Sequence, residues 1–162
     1  MPVESTAPER AVGFAPEEVD LALPTRSLRL KWVVVVDAAL PPGRAANAVA
    51  CVASATSPEV GGLLGTVAVD AEGSEHAALP WTGCTVLAAD ADTLRTVRAK
   101  AAAAATCFVA DMPAAAQHTR VYAEYLDTVK GTAAEEMAYS AVSIVGPRNK
   151  VDKLVGRLPL MP

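Results

Sequence analysis

Residues 28–37 read LRLKWVVVVD, and this stretch decides the class of fold. Its first residues alternate between apolar and polar side chains, and four valines then follow without interruption. A short, continuously apolar run is typical of a strand buried on both faces, usually a central and parallel one. Pro41, Pro42 and Gly43 follow, and these residue types break regular structure. The sequence therefore predicts a buried strand that ends in a tight turn.

Strand-like and helix-like segments alternate along the rest of the chain. The predicted strands are 28–37, 84–88, 106–111 and 137–145, with a hairpin of 66–70 and 75–79, and the predicted helices are 44–56, about 94–105, 113–131 and 148–155. This alternation predicts an α/β fold: a three-layer α/β/α domain with a mixed, mainly parallel central sheet of about four strands plus a hairpin.

The length of 162 residues suits one domain, and a 52% hydrophobic composition provides a sizeable core. We divide the chain into an N-terminal extension, residues 1–28, and a domain, residues 29–162. The extension is rich in proline and glutamate, so an ordered arm over the domain or a partner subunit and a disordered tail are both open.

Composition excludes several classes of protein. A formal net charge of -4 argues against a basic DNA-binding protein. Three scattered cysteines fit a reducing cytoplasm and form no zinc-ligand spacing, so we expect no metal and no cofactor. The N-terminus lacks the apolar core of a signal peptide, and no apolar stretch is long enough to span a membrane.

The turn after the first strand is the first candidate site. Asp37 ends the strand, Gly43 permits a tight backbone, and the free N–H groups of the following helix favour anions. Arg44 lies at that helix start, where the helix dipole disfavours a cation unless an anionic ligand offsets it. Alternatively, Arg44 points into water or pairs with Asp37. Asn47 faces the same crevice or is a buried amide that satisfies backbone groups.

A polar segment in the predicted 113–131 helix is the second candidate site. It contains Gln117, His118, Thr119 and Arg120, of which only some can share one helix face. His118, Tyr122 and Tyr125 have the spacing of one face, so His118 is a candidate acid or base. A structural role for His118 is the alternative.

The last helix also has a basic side, which touches phosphate or is simply solvated. It is formed by Arg148, Lys150, Lys153 and Arg157.

The order of these pieces resembles the type II peptidyl-tRNA hydrolases over about residues 30–160. The opening strand and turn match the family at Asp37, Gly43, Arg44, Ala45, Ala46 and Cys51. The middle of the chain matches it in a strand that ends at Asp111. The end of the chain matches it at Gly146-Pro147 and in the tail 154–160. The resemblance implies a hydrolase-like fold and a homodimer. It also implies that Asp111 positions a water and that Arg44 stabilises the developing oxyanion.

A closer resemblance is to the domain-of-unknown-function 2000 family of small bacterial proteins, which shares this hydrolase-like fold. Its two motifs are Leu-Pro-x-Gly-x-x-x-Asn, here residues 40–47, and Gln-x-Thr-x-x-Tyr-x-x-Tyr, here residues 117–125. The chain departs from the hydrolases because Arg44 replaces their turn lysine and Val155 replaces their tail threonine.

The sequence leaves two functions open, and whether the chain is an enzyme is undecided. In the first, a hydrolase-like protein acts on a carboxylic ester such as peptidyl-tRNA, or binds a small or nucleotide-linked anionic ligand. Asp111, Arg44 and His118 would be its catalytic residues, and its ligand-binding residues would be Asp37, Gly43, Asn47, Gln117, Thr119, Arg120 and Tyr122. In the second, a non-catalytic ligand-binding or regulatory module has kept the fold.

Overall fold

The computed structural model describes residues 12–162, so residues 1–11 of the predicted extension lie outside the described residues. Its strands are β1 (Leu30–Asp37), β2 (Ala68–Val69), β3 (Glu75–His76), β4 (Thr85–Ala89), β5 (Phe108–Pro113) and β6 (Tyr139–Pro147). Its α-helices are α1 (Pro42–Thr56), α2 (Ala91–Ala102), α3 (Tyr122–Lys130) and α4 (Arg148–Val155).

Four strands form the central sheet in the order β4-β1-β6-β5, and β2 and β3 form a separate hairpin. The β1–β4 pair is parallel, with Val35 opposite Leu87. The β1–β6 and β5–β6 pairs are antiparallel. The expected four-stranded mixed sheet and its hairpin are therefore confirmed. The expectation that the sheet is mainly parallel needs correction, because only one neighbouring pair is parallel.

The sheet is covered on both faces because the side chains of β1 alternate between two clusters. Val34 and Val36 pack with Ala48 and Val52 of α1 in one cluster. Val33 and Val35 pack with residues of α2 and α4 in the other. Full burial of a valine contributes about 1.5–3 kcal/mol relative to its exposure, which explains why the uninterrupted valine run specifies a central strand. The three-layer α/β architecture is thus confirmed.

The turn after β1 leads directly into α1, which begins at Pro42, two residues earlier than predicted. Proline suits a first helical position because the N–H it lacks has no partner inside the helix there. Ala45, Ala48 and Val52 are buried along one side of α1. Their small size lets α1 pack closely on the sheet.

Residues 12–28 pack against the domain instead of extending away from it. Val12 and Phe14 are buried. The backbone N–H of Phe14 donates to the Gly61 carbonyl at 2.8 Å. A Cβ on Gly13 would lie 2.8 Å from the Gly61 backbone nitrogen, so only glycine permits this approach. The described part of the extension is therefore an arm that lies over the α1 face of the sheet.

The segment predicted as one helix over 113–131 is different in the structure. Strand β5 continues to Pro113, a short 3₁₀ turn follows at Ala114–Gln117, and α3 begins only at Tyr122. His118 precedes the helix, so the expected helix face that His118 shares with Tyr122 and Tyr125 does not exist. The sequence did not reveal this because alanine and glutamine are good α-helix formers, so residues 114–117 have the composition of an α-helix.

The two edges of the sheet differ. The outer edge of β4 is covered by the C-terminal segment, where the N–H of Ala88 donates to the Pro159 carbonyl at 2.9 Å and the N–H of Met161 to the Val86 carbonyl at 3.0 Å. Strand β5 lies at the other edge, and no described strand pairs with its outer side. Within residues 12–162, no helix has the length and apolar character needed to cross a membrane.

Candidate functional site

A cavity of about 420 Å³ opens beside the carboxyl end of β5. It lies between α1, β5, the segment 114–121 and the start of α3. Its lining consists of Cys51, Val52, Ala55, Asp111, Met112, Ala116, Thr119, Arg120, Val121, Tyr122 and Tyr125. Most of these side chains are apolar or aromatic, so the cavity suits a ligand with an apolar body and few polar groups.

The cavity follows from local features of the chain. Cys51 and Ala55 are four residues apart on α1, so they lie on one side of the helix. Both are exposed, whereas neighbouring Val52 is buried in the core. On the opposite wall, the hydroxyl of Thr119 donates to the Ala115 carbonyl at 3.1 Å and shapes the turn that leads to α3. Small side chains on α1 leave the space open.

Two tyrosines form the aromatic part of the cavity. The rings of Tyr122 and Tyr125 meet edge-to-face, with centroids 5.4 Å apart. Tyr122 is 74% exposed, so its ring stands at the rim. Burial raises the pKa of Tyr125, and the nearby Tyr122 and Asp111 raise it further. The Tyr125 phenol therefore stays protonated at neutral pH and can donate a hydrogen bond.

Asp111 is held in an ion pair. The Nε of Arg98, on α2, donates to its Oδ2 at 2.8 Å. The Arg98 guanidinium also lies over the Tyr139 ring, 5.4 Å from its centroid. This hydrogen bond to Asp111 raises the pKa of Arg98. Asp111 thus contributes little net negative charge to the cavity, because the adjacent cation neutralises it.

Three residues of the first and second sequence-predicted sites are brought together by hydrogen bonds. The Nε2 of Gln117 donates to the Arg44 carbonyl at 2.9 Å and to Asn47 Oδ1 at 3.1 Å. The Ser140 hydroxyl donates to Gln117 Oε1 at 3.3 Å. Gln117 therefore joins the start of α1 to β6, and its amide has protein partners on both sides.

The remaining turn residues are placed close to solvent. Asp37 Oδ1 accepts a hydrogen bond from the Ala39 backbone N–H at 2.9 Å, which is a local turn and not a contact with Arg44. Gly43 and Arg44 are exposed, and a Cβ on Gly43 would meet nothing within 4 Å. His118 is also exposed.

The predicted site residues thus divide into two groups. Those that line the cavity are Asp111, Thr119, Arg120 and Tyr122; those outside it are Asp37, Gly43, Arg44, Asn47, Gln117 and His118. Sequence reasoning missed Cys51, Met112 and Arg98 as site residues. The spacing of Tyr122 and Tyr125 was a usable signal for Tyr125, but no local signal could have paired Arg98 with Asp111.

Within residues 12–162, no three His, Cys, Asp or Glu side chains converge in a way that could hold a metal ion. The three cysteines form no disulfide in this part of the chain. The Cys84 residue is exposed overall, yet the protein around its thiol raises the pKa to about 12, so that thiol stays protonated.

These features define a three-layer α/β domain with an open, mostly apolar cavity beside an edge strand. Residues 30–162 match the family described as protein of unknown function (DUF2000), and the chain belongs to this family. The family assignment made from the sequence motifs is therefore confirmed.

The solved structure of a protein of unknown function from Agrobacterium tumefaciens strain C58 is similar to this chain. The TM-score is 0.77 at 17% sequence identity, and the likeness covers 83% of this chain and 99% of that one. At this identity the likeness shows the fold alone, and it does not establish the peptidyl-tRNA hydrolase-like fold. No curated protein matches the chain.

Proposed function

We propose that this protein binds a small anion with an apolar, planar body in the cavity between α1, β5 and α3, and that it does so without catalysis. Among the described lining residues, Arg120 is the one cation and Asp111 is the one carboxylate. Arg98 already neutralises Asp111, whereas no ion pair involves Arg120 within residues 12–162. This unbalanced cation beside an aromatic pair carries the proposal.

The expected ligand follows from the lining. Met112, Ala116 and Val52 favour an apolar body, and the rings of Tyr122 and Tyr125 favour a planar one. Arg120 can hold a carboxylate or phosphate through two parallel N–H bonds. The structure therefore supports an aromatic acid more than a sugar or a neutral lipid.

Calorimetry with a matched pair of probes tests the proposal. We expect indole-3-acetate to bind the wild-type chain more tightly than indole-3-acetamide, because only the first carries a carboxylate. Arg120→Ala should weaken binding of the acid about tenfold, the equivalent of about 1.4 kcal/mol, and leave binding of the amide nearly unchanged.

Arg26→Ala is the matched control, because Arg26 is exposed and does not line the cavity. It should bind both probes as the wild type does. Equal affinity for acid and amide, or equal weakening by both substitutions, would overturn the role of Arg120.

Ester hydrolysis of peptidyl-tRNA has weaker support. It would require Asp111 to position a water and Arg44 to face the same space. Asp111 instead accepts a hydrogen bond from Arg98, and Arg44 is exposed at the start of α1. We expect no release of peptide from N-blocked aminoacyl-tRNA by the pure chain. Turnover that falls sharply in Arg44→Ala would reinstate the hydrolase and contradict this expectation.

A cytoplasmic location and a homodimer complete the proposal. Three free cysteines suit a reducing compartment. The unpaired outer side of β5 offers an edge on which a second copy can add its own β5. Fractionation of cells and the mass of the chain in solution test these two points.

A further inference from the structure

A second cleft lies on the opposite face of the sheet, between one side of α4 and the end of α2 with the residues that follow it. Its volume is about 380 Å³, and its lining consists of Lys100, Ala103, Ala104, Lys150, Lys153 and Leu154. Half of these side chains are lysines, although the whole chain has a net charge of -4. The cleft is thus a local concentration of positive charge on an acidic protein.

The three lysines converge from two different helices. Lys150 and Lys153 are three residues apart on α4, so their side chains lie on one side of that helix. Lys100 lies in the last turn of α2. No carboxylate lines this cleft, and none of the three lysines belongs to an ion pair within residues 12–162.

The nearby acidic side chains have other partners. Asp152 accepts a hydrogen bond from Lys31 at 2.6 Å. Asp92, which lines an adjoining cavity together with Lys100 and Lys153, pairs with Arg95 at 3.3 Å. The positive charge of the cleft is therefore not balanced by the protein itself.

Helix stability alone does not explain all three lysines. Lys100 is favourable at the end of α2, where the helix dipole attracts a cation. Lys150 lies in the first turn of α4, which contains no acidic residue and where the dipole disfavours a cation. Arg148 in the same turn is held by the Leu28 and Thr25 carbonyls, but Lys150 has no such partner in the described residues.

We propose that this basic cleft binds a pyrophosphate group, either free or carried by a nucleoside diphosphate. Lysine ammonium groups bind phosphate as point charges, and three of them match the charge of two linked phosphates. Ala103 and Ala104 leave room for the anion between the helices. The cleft is separate from the aromatic cavity, because α2 and α4 cover one face of the sheet and α1 covers the other.

Titration of the full chain with inorganic pyrophosphate, followed by calorimetry and by amide chemical shifts, tests this proposal. We expect shifts confined to the residues around 100–104 and 148–154. The combined change Lys100→Gln, Lys150→Gln and Lys153→Gln should weaken binding at least tenfold, and each single change should weaken it severalfold. These lysines are exposed, and glutamine keeps the helix propensity, so the variants should fold.

Lys130→Gln, an exposed lysine at the end of α3, is the matched control and should bind within twofold of the wild type. Parallel titrations with ADP and with inorganic pyrophosphate distinguish the two sources of the group. Tighter binding of a short single-stranded oligonucleotide that depends on the same lysines would overturn the proposal in favour of nucleic acid. Shifts spread over the whole surface, or an equal loss in Lys130→Gln, would also overturn it.

Discussion

Ser143 lies at the centre of a buried polar network that joins three elements. The indole N–H of Trp32, on β1, donates to the Ser143 hydroxyl at 2.8 Å. The Thr56 hydroxyl, at the end of α1, donates to the Val52 carbonyl at 2.7 Å, so the Ser143 hydroxyl donates to Thr56 at 2.7 Å. Each polar group is satisfied although Thr56 and Ser143 are fully buried.

Ser143→Ala should therefore lower the free energy of unfolding by about 1–3 kcal/mol, because it leaves the Trp32 N–H buried without an acceptor. Urea denaturation followed by tryptophan fluorescence measures the change. Ser54→Ala, an exposed serine on α1, is the control and should change the stability little. An unchanged unfolding midpoint for Ser143→Ala would show that the network does not stabilise the fold.

The sequence was a better guide to which side chains lie near the cavity than to the hydrogen-bond and ion-pair partners of those side chains. Thr119, Arg120 and Tyr122 were predicted because they form one polar and aromatic segment, and they line the cavity, but their role in binding a ligand stays a prediction. Arg98 was missed because its pairing with Asp111 depends on how α2 packs against β5, which no local pattern encodes. Gln117 was predicted to bind a ligand, whereas the structure gives its amide protein partners.

At the scale of elements, the arm of residues 12–28 is fastened by one ion pair. The Nε of Arg29 donates to Glu18 Oε1 at 2.6 Å, and its Nη2 donates to the Gly13 carbonyl at 2.8 Å. The hydrogen bond from Arg29, together with one from the Ala15 backbone N–H, lowers the pKa of Glu18 from 4.5 to about 2.

A lowered carboxyl pKa means that the ionised form is favoured in the folded state. Its contribution to stability is complete above pH 4.5 and is lost as the pH falls towards 2. We expect the protection factors of the amides in residues 14–19, which compare exchange with its intrinsic rate at each pH, to fall over this range before those of the core strands. In Glu18→Gln the protection factors of the arm should already be lower at neutral pH and should change little between pH 5 and 3. Identical pH profiles for both chains would contradict this account.

In the sheet, the positions of the strands were easier to predict than whether neighbouring strands pair parallel or antiparallel. The valine run and the alternation of strands and helices were sufficient to find all four central strands. No local pattern in the sequence indicates that β6 is antiparallel to both β1 and β5. Helix α3 has no buried residue. It therefore does not cover the sheet as a crossover helix would, and the chain returns antiparallel.

At the scale of the whole molecule, the two edges of the sheet predict the assembly. The C-terminal segment closes the β4 edge, and the β5 edge has no strand partner among residues 12–162. An unpaired edge is a template for another strand. We expect light scattering to give twice the chain mass of 16.7 kDa at micromolar concentration. A single-chain mass over the same range would contradict the homodimer.

We expect the cavity beside β5 to bind an aromatic anion. The most direct measurement is the set of amide chemical shifts of the labelled chain during titration with indole-3-acetate. We predict saturable shifts at Cys51, Met112 and the residues 119–125, and no comparable shifts at the turn 37–44. Saturable shifts centred on that turn, or none at the cavity at millimolar probe, would contradict the claim.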